Sequence, residues 1–134
     1  MITVKSKYSG QLSTEAIHVK SNNQIITDAP VDNNGKGAAF SPTDLVAAAL
    51  GSCMMTVMAI AGEKKGLNMA GMNLEATKVM SAAPRRINEI KVDFYWDDCS
   101  LSDLDRSWIK EIGLNCPVAL SLSSDLKQNI EFHF

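Results

Sequence analysis

An alternation of hydrophobic and polar positions recurs in six stretches of the chain. A period of two residues is what a half-buried strand requires, because successive side chains point to opposite faces of a sheet. Turn-forming Gly, Asn and Pro residues lie between neighbouring stretches at both ends of the chain. The predicted strands are residues 2–9, 14–20, 24–27, 69–81, 86–96 and 128–134.

A long helix is predicted after the third strand and a loop over residues 28–41. Ser41 can be its N-cap, Pro42 suits the first helical position, and Asp44 completes a relative of the capping box. The helix should run to about Lys65, because Gly66 is a typical helix end. It is apolar or small nearly all round, which is typical of a helix buried on several sides.

Two shorter helices are predicted before the last strand. Ser102 can cap a helix over residues 102–114, with apolar residues at four-residue spacing, and the Cys116-Pro117 pair restarts the chain into a helix over residues 117–124. The element order is βββ-α-ββ-αα-β, with strands and helices segregated. We therefore expect an α+β fold in one domain, residues 1–134, with antiparallel sheets wrapped around the long central helix.

Composition excludes several classes of function. The 134 residues carry a net charge of −2 with no basic stripe, so we expect no nucleic-acid partner. The first residues alternate and do not form a signal peptide. The apolar stretch 45–61 contains small polar residues and is followed at once by charges, so we expect a core helix and no membrane association. The expected location is the cytoplasm.

The titratable residues give little support for a metal or a general base. The chain has three cysteines and two histidines, with neither a Cys-x-x-Cys nor a His-x3-His pair, so no metal site is expected. His18 and His133 lie on strand patterns and are interpreted as surface or packing residues. Cys99 follows two aspartates that disfavour its thiolate, and it is interpreted as incidental.

Cys53 lies in the middle of an apolar stripe on the predicted central helix. Burial alone raises a thiol pKa and leaves the sulfur inert, so one interpretation is a small core residue. The stripe consists of Val46, Ala49, Leu50, Cys53, Val57 and Ile60.

Cys116 has a different setting, because it precedes Pro117 at the start of a predicted helix. Free backbone N–H groups and the positive end of the helix dipole favour a thiolate at an N-cap. A lowered pKa is what a reactive thiol requires. The other interpretation of Cys116-Pro117 is a simple helix break.

Three segments match one family pattern. Ser41-Pro42 is followed by an acidic residue and an Ala-rich helix that reaches Cys53, and Asn115-Cys116-Pro117-Val118 places a second cysteine 63 residues later. Pro84-Arg85-Arg86-Ile87 matches a hairpin of the same family. In these motifs and in its element order, the chain resembles the OsmC/Ohr family of peroxiredoxin-like hydroperoxide reductases over nearly its whole length.

The resemblance implies an OsmC-like fold, an intertwined homodimer with active sites at the interface, and a role in oxidative-stress defence. It implies that Cys53 attacks an organic hydroperoxide as thiolate and becomes a sulfenic acid, and that Cys116 condenses with it to a disulfide. An external dithiol of lipoamide type would reduce the disulfide, and no bound cofactor is expected.

The activating residues of Ohr-type members are not matched. Those members use an Arg from the first hairpin, which lowers the thiol pKa, and a Glu at the start of the central helix, which holds the Arg. Ten residues before Cys53, in place of the Glu, stands Thr43, with Asp44 beside it as a carboxylate anchor or only as a cap. The candidates for the missing charge are Arg85, Arg86, Lys5 and Lys7.

Two functions therefore remain open at the level of sequence. One is a two-cysteine hydroperoxide reductase. The other is a non-catalytic OsmC-like protein that binds an apolar or thiol-bearing small molecule at the dimer interface.

Overall fold

The structure, a computed structural model, describes residues 1–97 and 100–134. Its elements follow the predicted order βββ-α-ββ-αα-β, with one short 3-10 turn, Val31–Asn33, added in the predicted loop. The α+β class is confirmed. The elements are β1 Val4–Gly10, β2 Ser13–His18, β3 Gln24–Asp28, α1 Pro42–Lys64, β4 Asn73–Ala82, β5 Arg85–Tyr95, α2 Asp103–Leu114, α3 Pro117–Ser121 and β6 Lys127–His133.

The chain divides into two compact units, residues 1–45 and 46–134, which are described separately. The first unit is an antiparallel meander in the order β1-β2-β3, as predicted. Asp28 at the end of β3 is buried, and it accepts hydrogen bonds from the Ser13 hydroxyl at 2.6 Å and the Ala38 amide at 3.0 Å. These two donors hold the pKa of Asp28 below its usual range and tie the following loop to the sheet.

The second unit contains a sheet in the order β4-β5-β6. The β4–β5 hairpin is antiparallel, as expected, but β6 runs parallel to β5, from Glu89↔Lys127 to Tyr95↔His133. The expectation of purely antiparallel sheets is therefore wrong for this pair. The reason lies in the connection: α2 and α3 carry the chain from the end of β5 back to its beginning, as a parallel pairing requires.

The core of the second unit lies between this sheet and the helices. Three residues of α1, Leu50, Met54 and Met58, have no exposed surface, and they belong to one buried cluster with β5 and α2. Glycine allows close approach here: a Cβ at Gly113 of α2 would lie 3.0 Å from the Met58 sulfur. Long methionine side chains therefore fill the space between helices whose backbones approach closely.

By length and composition, α1 is also long and apolar enough to cross a membrane, with a mean hydropathy of 2.0 over its most apolar window. Core helices share that property. The expected absence of a membrane partner and the single-domain organisation both stay predictions.

The α2 helix shows a rotated core face. The apolar residues at four-residue spacing are Leu104, Trp108 and Ile112. Leu104 is nevertheless 84% exposed, and the buried residues of α2 are Ile109 and Gly113. The neighbouring face of α2, which carries Ile109 and Gly113, packs against the core instead. Gly113 has no side chain and so leaves room for Met58 of α1.

Matched leucine truncations test this core. Leu50→Ala should lower the free energy of unfolding by about 2–5 kcal/mol, because it leaves a cavity at a site without exposed surface. Leu104→Ala makes the same chemical change at an exposed site and should shift that free energy by less than about 0.5 kcal/mol. Urea titrations at one protein concentration measure both, and equal losses would contradict the assigned core.

Candidate functional site

The Cys53 thiol lies at the border of the buried face of α1. The sequence analysis placed Cys53 in the middle of that face, but the centre is the neighbouring Met54, and Cys53 is half-buried. Two members of the predicted stripe, Ala49 and Ile60, are exposed. A helix that is apolar all round does not reveal from its own pattern which face its neighbours cover. As a result, Cys53 is partly exposed to solvent.

The Cys116 thiol is buried at the N-cap of α3, as the sequence predicts. Pro117 favours an extended residue before it, and Cys116 has φ −66° and ψ 152°. In this conformation the Cys116 sulfur accepts a hydrogen bond from the Ala119 amide at 3.3 Å. Cys116 has no exposed surface, so its sulfur is held in place between its own helix and the core.

The two predicted cysteines come together. Both are free thiols, and Cys53 is close enough to Cys116 to affect the pKa of the Cys116 thiol. Burial raises the pKa of the Cys116 thiol above its ordinary value, the Ala119 amide opposes that shift, and the adjacent Cys53 raises the pKa further. The expected lowering of this pKa by the N-cap is therefore wrong, because desolvation outweighs one N–H donor. Cys116 thus stays protonated at neutral pH.

The predicted carboxylate, Asp44, lies at the helix start as a cap. The Ser41 amide donates to Asp44 Oδ2 at 2.8 Å, and the Asp44 amide donates to Ser41 Oγ at 3.1 Å, which is a reciprocal capping box. Thr43 Oγ1 lies 3.1 Å from Ser41 Oγ. Of the two roles considered for Asp44, the capping role is the one that these contacts account for.

The predicted arginines lie at the β4–β5 turn. Arg85 is exposed, and Arg86 is half-exposed with its guanidinium 3.9 Å from the carboxylate of Asp125. A surface pair of this kind contributes little to stability. The cationic partner expected for a reactive thiol is thus not supplied by Arg86, which instead faces a carboxylate.

An open apolar groove lies along the Cys53 side of α1, beginning one helical turn beyond the thiol at Val57. Its volume is about 410 Å³. Trp108 of α2 forms one wall, and Lys65 lies 4.8 Å from the centre of the Trp108 ring while pairing with Asp105. The sequence pattern does not reveal this groove, because residues far apart in the sequence form it. The lining residues are Val57, Ile60, Ala61, Lys64, Lys65 and Trp108.

Both histidines lie at the ends of strands, His18 in β2 and His133 in β6. His133 Nε2 lies 2.6 Å from Asp93 Oδ1, and its ring stacks on Tyr95. Asp93, Glu131 and His133 form a group whose ligand atoms are close enough for a metal ion, but the hydrogen bond between His133 and Asp93 accounts for their contact. Cys99, predicted to be incidental, lies outside the described residues.

Comparison with known proteins identifies the family and the fold of this chain. A family model described as OsmC-like protein matches residues 35–131. The chain is similar to the structure of an osmotic stress induced and detoxification response protein from Psychrobacter arcticus, at 47% identity and a TM-score of 0.94, covering 99% of this chain and 96% of that one. None of the curated proteins compared with the chain matches it.

Two more distant structures show the same fold. One is an organic hydroperoxide resistance protein OsmC from Legionella pneumophila, with 13% identity, a TM-score of 0.74, and coverage of 100% of this chain and 98% of that one. The other is an organic hydroperoxide resistance protein from Vibrio cholerae with captopril in one of its active sites, with 11% identity, a TM-score of 0.75, and coverage of 98% and 92%.

Replacing Cys116 with Ser tests the raised thiol pKa. A raised pKa stabilises the fold fully below the unfolded value of about 8.5, and this stabilisation is lost as the pH rises through the folded value. From about pH 7.5 to about pH 10, the unfolding free energy of the wild type should therefore fall relative to that of Cys116→Ser, by at most about 1.4 kcal/mol per pH unit. Urea titrations under a phosphine reductant measure the difference, and parallel pH curves would contradict the assignment.

Proposed function

This chain belongs to the OsmC-like protein family, and on that premise we propose that it reduces organic hydroperoxides with Cys53 as nucleophile and Cys116 as resolving thiol. The observation that carries the proposal is the proximity of a half-buried cysteine and a fully buried one, both with free thiols. A peroxide can reach the half-buried Cys53, whereas the buried Cys116 thiol stays protonated until Cys53 has been oxidised.

In the first step, the Cys53 thiolate attacks the terminal oxygen of the hydroperoxide. An S–O bond forms as the O–O bond breaks, and the alkoxide takes a proton from water and leaves as an alcohol. Cys53 is oxidised to a sulfenic acid, and the hydroperoxide is reduced.

In the second step, the Cys116 sulfur attacks the Cys53 sulfur. The S–S bond forms as the S–O bond breaks, and the Cys116 proton leaves with the hydroxide as water. An external dithiol then reduces the disulfide and becomes a cyclic disulfide itself, so both cysteines regain their protons. No bound cofactor takes part in this scheme, and the proposed location of the reaction is the cytoplasm.

The groove favours the organic part of the substrate. Its wall at Trp108 and its floor at Val57 and Ile60 are apolar, and they lie on the same side of α1 as Cys53. An alkyl or aryl group placed there would lose water from its surface on binding. We therefore expect faster reduction of organic hydroperoxides than of hydrogen peroxide.

A second candidate function is binding without catalysis. Arg86 faces Asp125, and Asp44 caps its helix, so the charge pair of Ohr-type members has no equivalent in these contacts. A structural relative from Vibrio cholerae holds captopril, a thiol, in one of its active sites. In this second function, the groove at Trp108 of this chain binds an apolar or thiol-bearing small molecule, and the cysteines contact that ligand.

The homodimer is also part of the proposal. Several large apolar side chains are at least half exposed, both on the N-terminal strands and on α1, and a second copy of the chain would cover them. They are Val4, Tyr8, Ile25, Ile26 and Ile60.

Stoichiometric tert-butyl hydroperoxide distinguishes the two functions. By intact mass, wild-type protein should lose about two hydrogens as the disulfide forms, and Cys116→Ser should instead gain about one or two oxygens on Cys53. Cys53→Ser should stay unmodified and consume peroxide at least about 100-fold more slowly, because the nucleophile is gone. Cys99→Ser is the matched control and should behave as wild type. Equal, near-background consumption by wild type and Cys53→Ser would favour the binding function.

The proposed dimer predicts a solution mass of twice the 14.5 kDa chain. Light scattering after size exclusion measures it. Ile60→Glu places a charge at an exposed apolar position of α1 and should shift the monomer–dimer equilibrium towards the single-chain mass. Leu120→Glu, at an exposed position of α3, is the control and should keep the wild-type mass. A wild-type mass of one chain would refute the dimer.

A further inference from the structure

The α3 helix, which carries Cys116 at its N-cap, is too short to hold itself in place. It spans five residues, Pro117–Ser121. The first turn of a helix costs more conformational entropy than its few hydrogen bonds return, so isolated short helices are not stable in water. The position of the Cys116 sulfur therefore depends on contacts that reach α3 from other elements.

Gln128 of β6 makes such a contact. Its side-chain Nε2 donates a hydrogen bond to the Ala119 carbonyl at 2.9 Å. Gln128 is half-buried and lies in register with Ile90, a core residue of β5 without exposed surface. The amide is thus attached to β6 at a position paired with the central strand β5.

Ala119 is therefore bonded on both sides of its backbone. Its N–H donates to the Cys116 sulfur at 3.3 Å, and its C=O accepts from Gln128. The chain of contacts runs from β6, through Gln128 and Ala119, to the sulfur of Cys116, and from there to Cys53.

We propose that Gln128 is the positioning residue of the resolving cysteine, because it holds the turn of α3 from which the Cys116 sulfur reaches Cys53. This inference rests on the proposed role of Cys116 as the thiol that closes the disulfide. Gln128 touches neither reacting sulfur and acts through Ala119. It sets the rate of disulfide closure and leaves the first attack by Cys53 unchanged.

The size of the effect follows from geometry. A displacement of about 1 Å in a reacting group can slow a step by about 100-fold, and loss of one of several tethers should have a smaller effect. We expect disulfide closure to slow by about 5- to 20-fold when the Gln128 donor is removed. Because sulfenic acid would then persist, peroxide should also convert more of Cys53 to sulfinic acid.

An aromatic disulfide reagent, 5,5′-dithiobis(2-nitrobenzoic acid), tests the inference without any peroxide. In a Cys99→Ser background, Cys53 attacks the reagent, forms a mixed disulfide and releases one thionitrobenzoate. Cys116 then attacks the Cys53 sulfur, the Cys53–Cys116 bond forms, and a second thionitrobenzoate leaves with the Cys116 proton going to solvent. Absorbance in a stopped-flow experiment resolves the two releases.

Gln128→Met preserves the length of the side chain and removes the donor. It should slow the second release by about 5- to 20-fold and leave the first within about 2-fold of wild type. Asn129→Leu is the matched control, since it removes an amide from the next position of the same strand, on the opposite face. It should leave both releases at wild-type rates, and urea titrations should show both variants folded.

The outcomes separate the two proposals. An unchanged second release in Gln128→Met, or equal slowing of both releases, overturns the positioning role. Absence of a second release in the wild type overturns it as well, because Cys116 would then not close the disulfide. A selective slowing with this reagent, together with no peroxide consumption by the wild type, would uphold Gln128 and refute the hydroperoxide reductase.

Discussion

The rotation of α1 about its own axis is the constraint on which the site depends. Leu50, Met54 and Met58 are completely buried, and Gly113 of α2 leaves room for the Met58 side chain. Successive residues of a helix are 100° apart, so burying Met54 at the centre necessarily places Cys53 at the edge. The same apolar packing that stabilises the unit therefore exposes one thiol. Had the predicted stripe been the buried one, Cys53 would be an inert core residue.

The two thiols differ in burial, and this difference suits them to different roles in the proposed mechanism. Cys116 lies below the surface, and desolvation raises its pKa although it occupies a helix N-cap. A protonated, sheltered thiol is a poor first nucleophile, but it is well placed to wait for an oxidised neighbour. Cys53 is half-buried and lies one turn before an apolar groove, which suits the first step of the proposed mechanism. The two proposed roles follow from position in the core and not from the identity of the side chain.

The Arg and Glu that activate the thiol in Ohr-type members are not matched in this sequence, so other parts of the site must contribute to the proposed reaction. Asp44 is engaged in the capping box, and Arg86 faces Asp125. In the proposed mechanism, binding energy for the organic part of the substrate comes from the groove at Trp108. Precise placement of Cys116 matters more in such a site, and Gln128 provides it from the sheet.

The sequence by itself determined the features that depend on local interactions. Local backbone preferences of Ser41, Asp44 and Pro117 made the start of α1 and the N-cap at Cys116 predictable. The element order was predictable as well. The family motifs implied in advance that the two cysteines act as a pair. Tertiary structure decided the parallel β6, the buried face of α1, the raised pKa of Cys116, the groove at Trp108 and the contact of Gln128 with Ala119. Each of these features depends on which distant part of the chain packs against an element. The sequence of a helix that is apolar on every side does not show which face will be buried.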